Sequence, residues 1–265
     1  MHVISISISD ESAILSGRVG IWPVGFSTDG YFLLLRNTPI VRAFWNNIQI
    51  TVVGTVLRLF FTILAAYPLS KSYMWGRRVF SMAIVFTMIF NAGLIPHYLL
   101  IRNLGLMNTY AAIWLPALIG VYNLMILRTF FEGISKDLED AADIDGATEW
   151  RKLWQLFVPL AKPALAALTL FASVNLWNAF RNVLLYITDV DKHNMAVLVQ
   201  QLIRSATMTT EEMLLDSESN VERVQTVPEA VQAAGIVVML VPMMLVYPWL
   251  QKYFVKGVMI GAIKG

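Results

Sequence analysis

The sequence predicts an all-α, polytopic membrane protein. Three observations carry that expectation. Apolar residues, 57% of the 265-residue chain, gather in runs long enough to cross a bilayer, where about 20 residues suffice. Lysine and arginine divide unevenly between alternate connections, and one charged segment, 138–163, interrupts the apolar runs. Cysteine is absent, which removes disulfide and thiolate chemistry. A net charge of +2 with no basic tract gives no argument for a nucleic-acid partner. His2–Ser9 lacks the basic start and long apolar region of a cleavable signal peptide.

Five spans are predicted, at about 44–70, 80–97, 108–129, 164–188 and 230–250. Each must be helical, because unpaired backbone groups cannot be left in lipid. Pro68, Pro96, Pro116, Pro163 and Pro248 fall near span ends, whereas Pro242 is interior and predicts a kink. The side of the membrane follows from the cations. Lys71, Arg77, Arg78, Arg128, Lys136, Arg151, Lys152, Lys162, Lys252, Lys256 and Lys264 occupy one set of connections. Arg18, Arg36, Arg42, Arg102, Lys192, Arg204 and Arg223 occupy the other, longer set. The richer set is placed in the cytoplasm, so the loop 130–163 and the tail 251–265 are inside, while 1–43 and 189–228 are outside. An outside start before an odd number of spans implies a sixth span upstream of this chain; a true five-span protein is the alternative. Residues 204–229 are polar and acidic, a solvated loop or a surface for an external partner. A short amphipathic helix at about 194–206 is expected to lie on the outer membrane surface.

Within the charged segment, Leu138, Ala141, Ala142 and Asp145 follow helical spacing and predict a short helix with a small apolar face. Gly146 is placed to end it in a left-handed conformation. Thr148 can cap a second helix that begins with Glu149 in its favourable first turn. Trp150, Leu153, Trp154 and Phe157 make a stripe on that second helix, and Pro159 and Pro163 are placed to stop it. Spacing alone leaves two readings open: an interfacial helix pair, or a docking loop shown to a soluble partner.

The residues resolve that choice by resemblance. Asp140-Ala141-Ala142, three residues, Gly146, nine residues, then Leu156-Phe157-Val158-Pro159 is similar to the EAA loop of binding-protein-dependent ABC importer permeases. Asp145-Gly146-Ala147 resembles the carbohydrate-importing, maltose-type branch. Asp140 stands where glutamate is usual and Val158 where leucine is usual, and the shorter carboxylate could weaken one docking contact. Asn91-Ala92-Gly93-Leu94-Ile95-Pro96, Asn103-Leu104-Gly105-Leu106, Leu127-Arg128-Thr129-Phe130-Phe131, Trp177-Asn178 and the terminal stretch from Lys256 to Gly265 extend the resemblance over nearly the whole chain, towards the subgroup for complex and acidic oligosaccharides. The resemblance implies a type I ABC importer transmembrane fold in a bacterial inner membrane, with six spans. It also implies a coupling helix seated in a cytoplasmic ATPase homodimer through Glu139, Asp140, Ala141, Ala142, Asp145, Gly146 and Ala147. The C-terminal tail would reach the same ATPase. A homologous second permease, an external solute-binding protein and an oligosaccharide substrate are the other implied partners. ATP and Mg would belong to the ATPase, with no cofactor in this subunit.

An enzyme is not expected. The chain has no GxxxxGK[ST] phosphate loop. His2, His97 and His193 lie in separate regions, so no metal site is expected, and no carboxylate falls inside a predicted span. That last absence also argues against ion-coupled secondary transport. A membrane-embedded enzyme, the reading from another class, lacks a nucleophile or base. Arg58 and Arg181 are the full charges within the apolar runs, each costing about 2.5–3.5 kcal/mol at a helix centre. They snorkel or pair with the second permease, or they line the translocation path and attract an acidic sugar such as alginate, with Trp177 and Asn178 adding stacking and hydrogen bonding.

Overall fold

The computed structural model describes residues 1–90, 92–204 and 229–262. In chain order the helices are α1 (His2–Ser7), α2 (Glu11–Leu15), α3 (Asp29–Asn37), α4 (Ile40–Ser70), α5 (Arg77–Ile89), α6 (Leu94–Asn103), α7 (Ala111–Ala117) and α8 (Val121–Glu132). They continue with α9 (Lys136–Ile144), α10 (Glu149–Leu160), α11 (Lys162–Trp177), α12 (Phe180–Tyr186), α13 (Met195–Arg204) and α14 (Glu229–Ala262). No strand is present among the described residues; an isolated bridge joins Ser9 and Phe26.

Two helices, α4 and α14, are long and apolar enough to cross a membrane, and three bent pairs raise the total to five among the described residues. Four of the five expected spans fall on these elements, whereas the third bent pair joins α10 to α11 and overlaps the 164–188 run only as far as Trp177. Helix α4 begins at Ile40, upstream of 44, because Pro39 accepts the amide of Ala43 at 2.9 Å and starts the helix. Its 31 residues extend about 46 Å, beyond the about 30 Å hydrocarbon core, so its ends emerge into polar surroundings. The 80–97 run is α5 and α6, separated by a break in which Gly93 takes φ 86°. The 108–129 run is α7 and α8, bent by 45° at the Leu118–Gly120 junction. The 164–188 run does not continue past Trp177: Ala179 takes ψ 57° and the helix resumes as α12. Helix α14 runs on through Pro242 and Pro248.

Helix α13 does not lie on the outer surface. Met195, Ala196, Val197, Leu198, Val199 and Leu202 are all buried, and Met195, Leu198 and Leu202 pack into the core of Leu34, Ile40 and Val231, leaving Gln201 and Arg204 exposed. The expected outer-loop residues 205–228 and tail residues 263–265 lie outside the described residues, as does Asn91.

The chain forms two compact units, Met1–Ile48 with Asn178–Leu245 and Gln49–Trp177 with Val246–Gly265. The first has a core of Leu34, Ile40, Ala43, Met195, Leu198, Leu202, Val231 and Ala234. Beside it Ala13, Ile14, Val19 and Ala230 pack together. Glycine is required where α3 meets α14: a Cβ on Gly30 would lie 2.9 Å from the carbonyl oxygen of Ala230. The second unit is organised around three rings in edge-to-face contact. Tyr67 lies 5.1 Å from Phe157 and 6.3 Å from Phe131, and Phe131 lies 5.6 Å from Phe157. Leu124, Leu127, Leu153, Ala161 and Leu168 complete that core.

Gly30→Ala is expected to destabilise the detergent-solubilised protein by about 1–3 kcal/mol, because the obstacle is backbone. Gly20→Ala, with nothing within 4 Å, should leave the melting temperature unchanged. Thermal unfolding of the two variants side by side checks this.

Candidate functional site

The polar segment between α8 and α11 is built as the spacing predicts, from local rules. Ser135 caps α9 by accepting the amide of Asp137 at 3.3 Å. At the other end Gly146, at φ 68°, donates its amide to Asp143, and Ala147 donates to Ala142 at 2.9 Å. That pair of bonds is a Schellman ending, which requires the left-handed residue. Thr148 caps α10 by accepting the amide of Arg151 at 3.4 Å. Pro159 does not stop α10. A π turn over Leu153–Phe157 widens the helix ahead of it, and the helix runs to Leu160 before α11 leaves at 79°.

Within the second unit, two lysines fasten α9 to its neighbours. Lys71, just past the end of α4, is 5% exposed. Its Nζ pairs with Glu139 Oε1 at 2.5 Å and lies 3.8 Å above the Phe157 ring and 4.7 Å from that of Tyr67. A desolvated ammonium needs both an opposite charge and the ring quadrupoles to be tolerated there. Lys152 on α10 reaches back to Asp143 Oδ1 at 2.8 Å and to Glu149 Oε1 at 2.5 Å. The other oxygen of Glu149 accepts the hydroxyls of Tyr67 at 2.6 Å and Tyr73 at 3.1 Å. Burial works against the Glu149 carboxylate, but the hydrogen bonds from Lys152, Tyr67 and Tyr73 outweigh it and hold its pKa below the ordinary value. Burial likewise opposes the Lys152 ammonium, and Asp143 and Glu149 overcome it, raising its pKa. Burial, then the charge of Glu149 and the hydrogen bond to it, push the Tyr73 phenol up to about 12. Glu149 and Lys152 are therefore charged at neutral pH, while the Tyr73 phenol keeps its proton to donate. Glu149 favours the folded state above its unfolded pKa, and that contribution is lost as pH falls through the depressed one. A third group ties α8 in: Glu132 pairs with Arg77 and, at 2.9 Å, with Arg128, while Arg77 donates to the Leu69 carbonyl at 2.9 Å.

These contacts divide the expected docking residues. Glu139 faces inward, its side chain 19% exposed, and Ala142 and Ala147 are half-buried. Asp140, Ala141, Asp145 and Gly146 are exposed. The outward face of α9 is Asp137, Asp140, Ala141 and Ile144, and Ile144 is 88% exposed. Helical spacing from Asp140 and Ala141 could have found Ile144. Lys71 had no local signal, because its partner is 68 residues away.

The four residues proposed for a path do not share one unit. Arg58 and Trp177 belong to the second, Asn178 and Arg181 to the first. Arg58 is half-buried, and its Nη1 is 3.5 Å from Asn175 Oδ1. A Cβ on Gly120 would fall 2.3 Å from Nη2, so the guanidinium rests on the backbone at the bend between α7 and α8. No carboxylate pairs with it among the described residues. Thr51, Thr55, Arg58 and Thr62 form one polar seam down α4, spaced i, i+4, i+7, i+11. Those three hydroxyls and Arg58 Nε find no hydrogen-bond partner among the described residues. Arg181 and Asn178 are exposed. Trp177 is 4% exposed, so its ring is packed away and not presented for stacking. No group of three or more His, Cys, Asp or Glu suited to a metal occurs among the described residues.

Comparison with known proteins places this geometry. Protein LplC of Bacillus subtilis is 36% identical over 265 residues, which is 100% of this chain and 88% of that protein. The polygalacturonan/rhamnogalacturonan transport system permease protein YtcP of the same organism is 34% identical, over 100% of this chain and 91% of that one. A solved bacterial ABC transporter involved in the import of the acidic polysaccharide alginate contains a chain 36% identical to this one. The two superpose with a TM-score of 0.84 over 96% of this chain and 89% of that one. The family model for the binding-protein-dependent transport system inner membrane component matches residues 51–260. The chain therefore belongs to that family, the permeases of ABC importers, and shares their transmembrane fold.

Proposed function

We propose that this chain is the transmembrane permease subunit of an ATP-driven importer that moves an oligosaccharide, uronate-containing such as alginate, from an external solute-binding protein into the cytoplasm. A homologous second permease completes the pore, and a separate homodimeric ATPase carries ATP, Mg and all hydrolysis. The observation that carries the reading is α9 itself: a short helix locked to the core on one side by Lys71 and Lys152 and open on the other. Asp140, Ala141, Asp145, Gly146 and the exposed Ile144 offer the ATPase carboxylates, small residues for close approach and one apolar knob. Glu139, Ala142 and Ala147 act in docking by holding that surface in place. Closure of the ATPase pulls α9, and the ion pairs pass the displacement to the end of α4 and to α10.

The acidic substrate is supported by two observations. Arg58 is a half-buried guanidinium in the polar seam of a helix long enough to span, with no carboxylate partner among the described residues. Two of the similar proteins are described by acidic polymers, alginate and polygalacturonan. Arg58, Arg181 and Asn178 are the path residues of this proposal, and buried Trp177 anchors the helix end from which Asn178 projects. The second reading, a neutral oligosaccharide with Arg58 serving helix packing at Gly120, rests on the contact with that glycine.

Three outcomes follow for the reconstituted transporter. Ile144→Asp or Asp140→Lys should abolish substrate-stimulated ATPase activity while the subunit still inserts and melts normally; unchanged stimulation would remove α9 from the docking surface. Lys71→Met leaves Glu139 without its cation and should lower stability by about 3 kcal/mol, with ATP hydrolysis partly uncoupled from uptake, read as more ATP consumed per sugar. Arg58→Gln should reduce uptake of a uronate oligosaccharide about tenfold or more, the scale of a lost charge-assisted bond, with Arg58→Lys intermediate. Equal losses for acidic and neutral sugars would assign Arg58 to packing and leave the importer reading intact.

A further inference from the structure

An open groove of about 590 Å³ runs along α5 and meets α8 at Arg128. Its mouth is basic: Arg77, Arg78 and Arg128 converge there with Ser81, and the Ser81 hydroxyl accepts Arg128 Nη1 at 2.8 Å. Three guanidiniums face one carboxylate, Glu132, which Arg77 and Arg128 share. Arg78 is exposed and pairs with no carboxylate among the described residues, so its donors are open. Away from the mouth the groove turns apolar. Met82, Val85, Phe86 and Ile89 continue from Arg78 at i+4, i+7, i+8 and i+11, a single stripe on α5.

Dimensions and position select the occupant. From Arg78 to Ile89 the stripe runs about 16 Å, close to half of the about 30 Å hydrocarbon core. A molecule seated there would place an anionic group among the guanidiniums and a hydrocarbon chain along one leaflet. The end that carries the arginines also leads into the coupling segment, since α8 ends at Glu132 and α9 begins at Lys136. Just before α5, Trp75 is 91% and Tyr73 67% exposed, the residue types that settle at the headgroup level of a bilayer. Helix α5 contributes no buried residue to the core, so its stripe faces outward over its full length. A soluble anion would satisfy the arginines and leave Met82, Val85, Phe86 and Ile89 uncovered.

We propose that the α5–α8 groove binds an anionic phospholipid from the leaflet facing the ATPase, its phosphate held by Arg78 with Arg77 and Arg128 and an acyl chain lying along Met82, Phe86 and Ile89. Basic pockets between membrane helices on the cytoplasmic side have this chemistry, and planar guanidiniums suit phosphate oxygens. A bound lipid would also shield the Arg77–Glu132–Arg128 group from water, so the leaflet's composition bears on the rigidity of the link from α8 to α9.

The test is native mass spectrometry of the assembled transporter purified from membranes, titrated with phosphatidylglycerol or phosphatidylcholine of equal chain length. The expected result is retention of phosphatidylglycerol about tenfold above phosphatidylcholine. Arg78→Ala should reduce that preference several-fold, and Arg78→Lys should keep part of it. Arg78 makes no ion pair among the described residues, so Arg78→Ala should melt as the parent does, which separates lost lipid from lost fold. Equal retention of both lipids, or an unchanged preference in Arg78→Ala, overturns the proposal. Glycerol 3-phosphate displacing the lipid at equal concentration overturns it in favour of a soluble-anion site. Loss of the second permease from Arg78→Glu complexes, with lipid retention unchanged, overturns it in favour of a subunit interface.

Discussion

One buried ammonium organises the working end of this molecule. Lys71 has left water almost entirely, and the cost of that transfer is repaid through three neighbours at once: the Glu139 carboxylate and the faces of Phe157 and Tyr67. Each neighbour belongs to a different helix, α9, α10 and α4. Through Tyr67 and Phe157 the same site reaches Phe131 on α8. A surface ion pair would be worth too little to transmit force, whereas a desolvated one resists separation because each charge would be stranded. The exposed side of α9 can thus be pushed by a partner without the helix simply peeling away.

The bends matter for the same reason. Continuous α-helices transmit displacement as rods, and this chain interrupts several of them near Gly93, Gly120, Ala161 and Ala179. At Gly120 the interruption is filled by a side chain from another helix: Arg58 lies against backbone that could not carry a Cβ. A charged group held at a helix bend is sensitive to the bend angle, since its few contacts there depend on close approach. Substrate recognition and helix geometry meet at one guanidinium in the proposed mechanism.

Much of this was legible in the sequence where the determining contacts are local. Gly146 as a left-handed ending and Thr148 as a cap depend on neighbours within a few residues, and both stand in the structure as spacing predicts. The apolar runs that became α4 and α14 were legible because bilayer thickness sets their length. Their interruptions were less so: hydropathy does not register Ala179, a residue with no breaking tendency, where α11 gives way to α12. Helix α13 was misplaced onto the surface because its two glutamines and one arginine suggest a polar side, while tertiary packing covers nearly all of its first two turns. Trp177 illustrates the same limit for the proposed path: an aromatic beside an asparagine reads as a sugar platform, and only the packed chain reveals that the ring is enclosed. The Lys71–Glu139 pair spans 68 positions, beyond any periodicity argument.

The π turn at Leu153–Phe157 has a consequence for how this segment can change over evolutionary time. A π turn holds one more residue than the α turn it replaces, so it has the form of a single-residue insertion retained within a helix. Excising that residue would let the turn close as an ordinary α turn and keep the residues beyond it in nearly their present phase, whereas the same deletion in a regular α turn would rotate everything beyond it by about 100°. Phe157 would stay among the rings, beneath its cation. This stretch can therefore absorb a one-codon deletion that the regular helices around it could not.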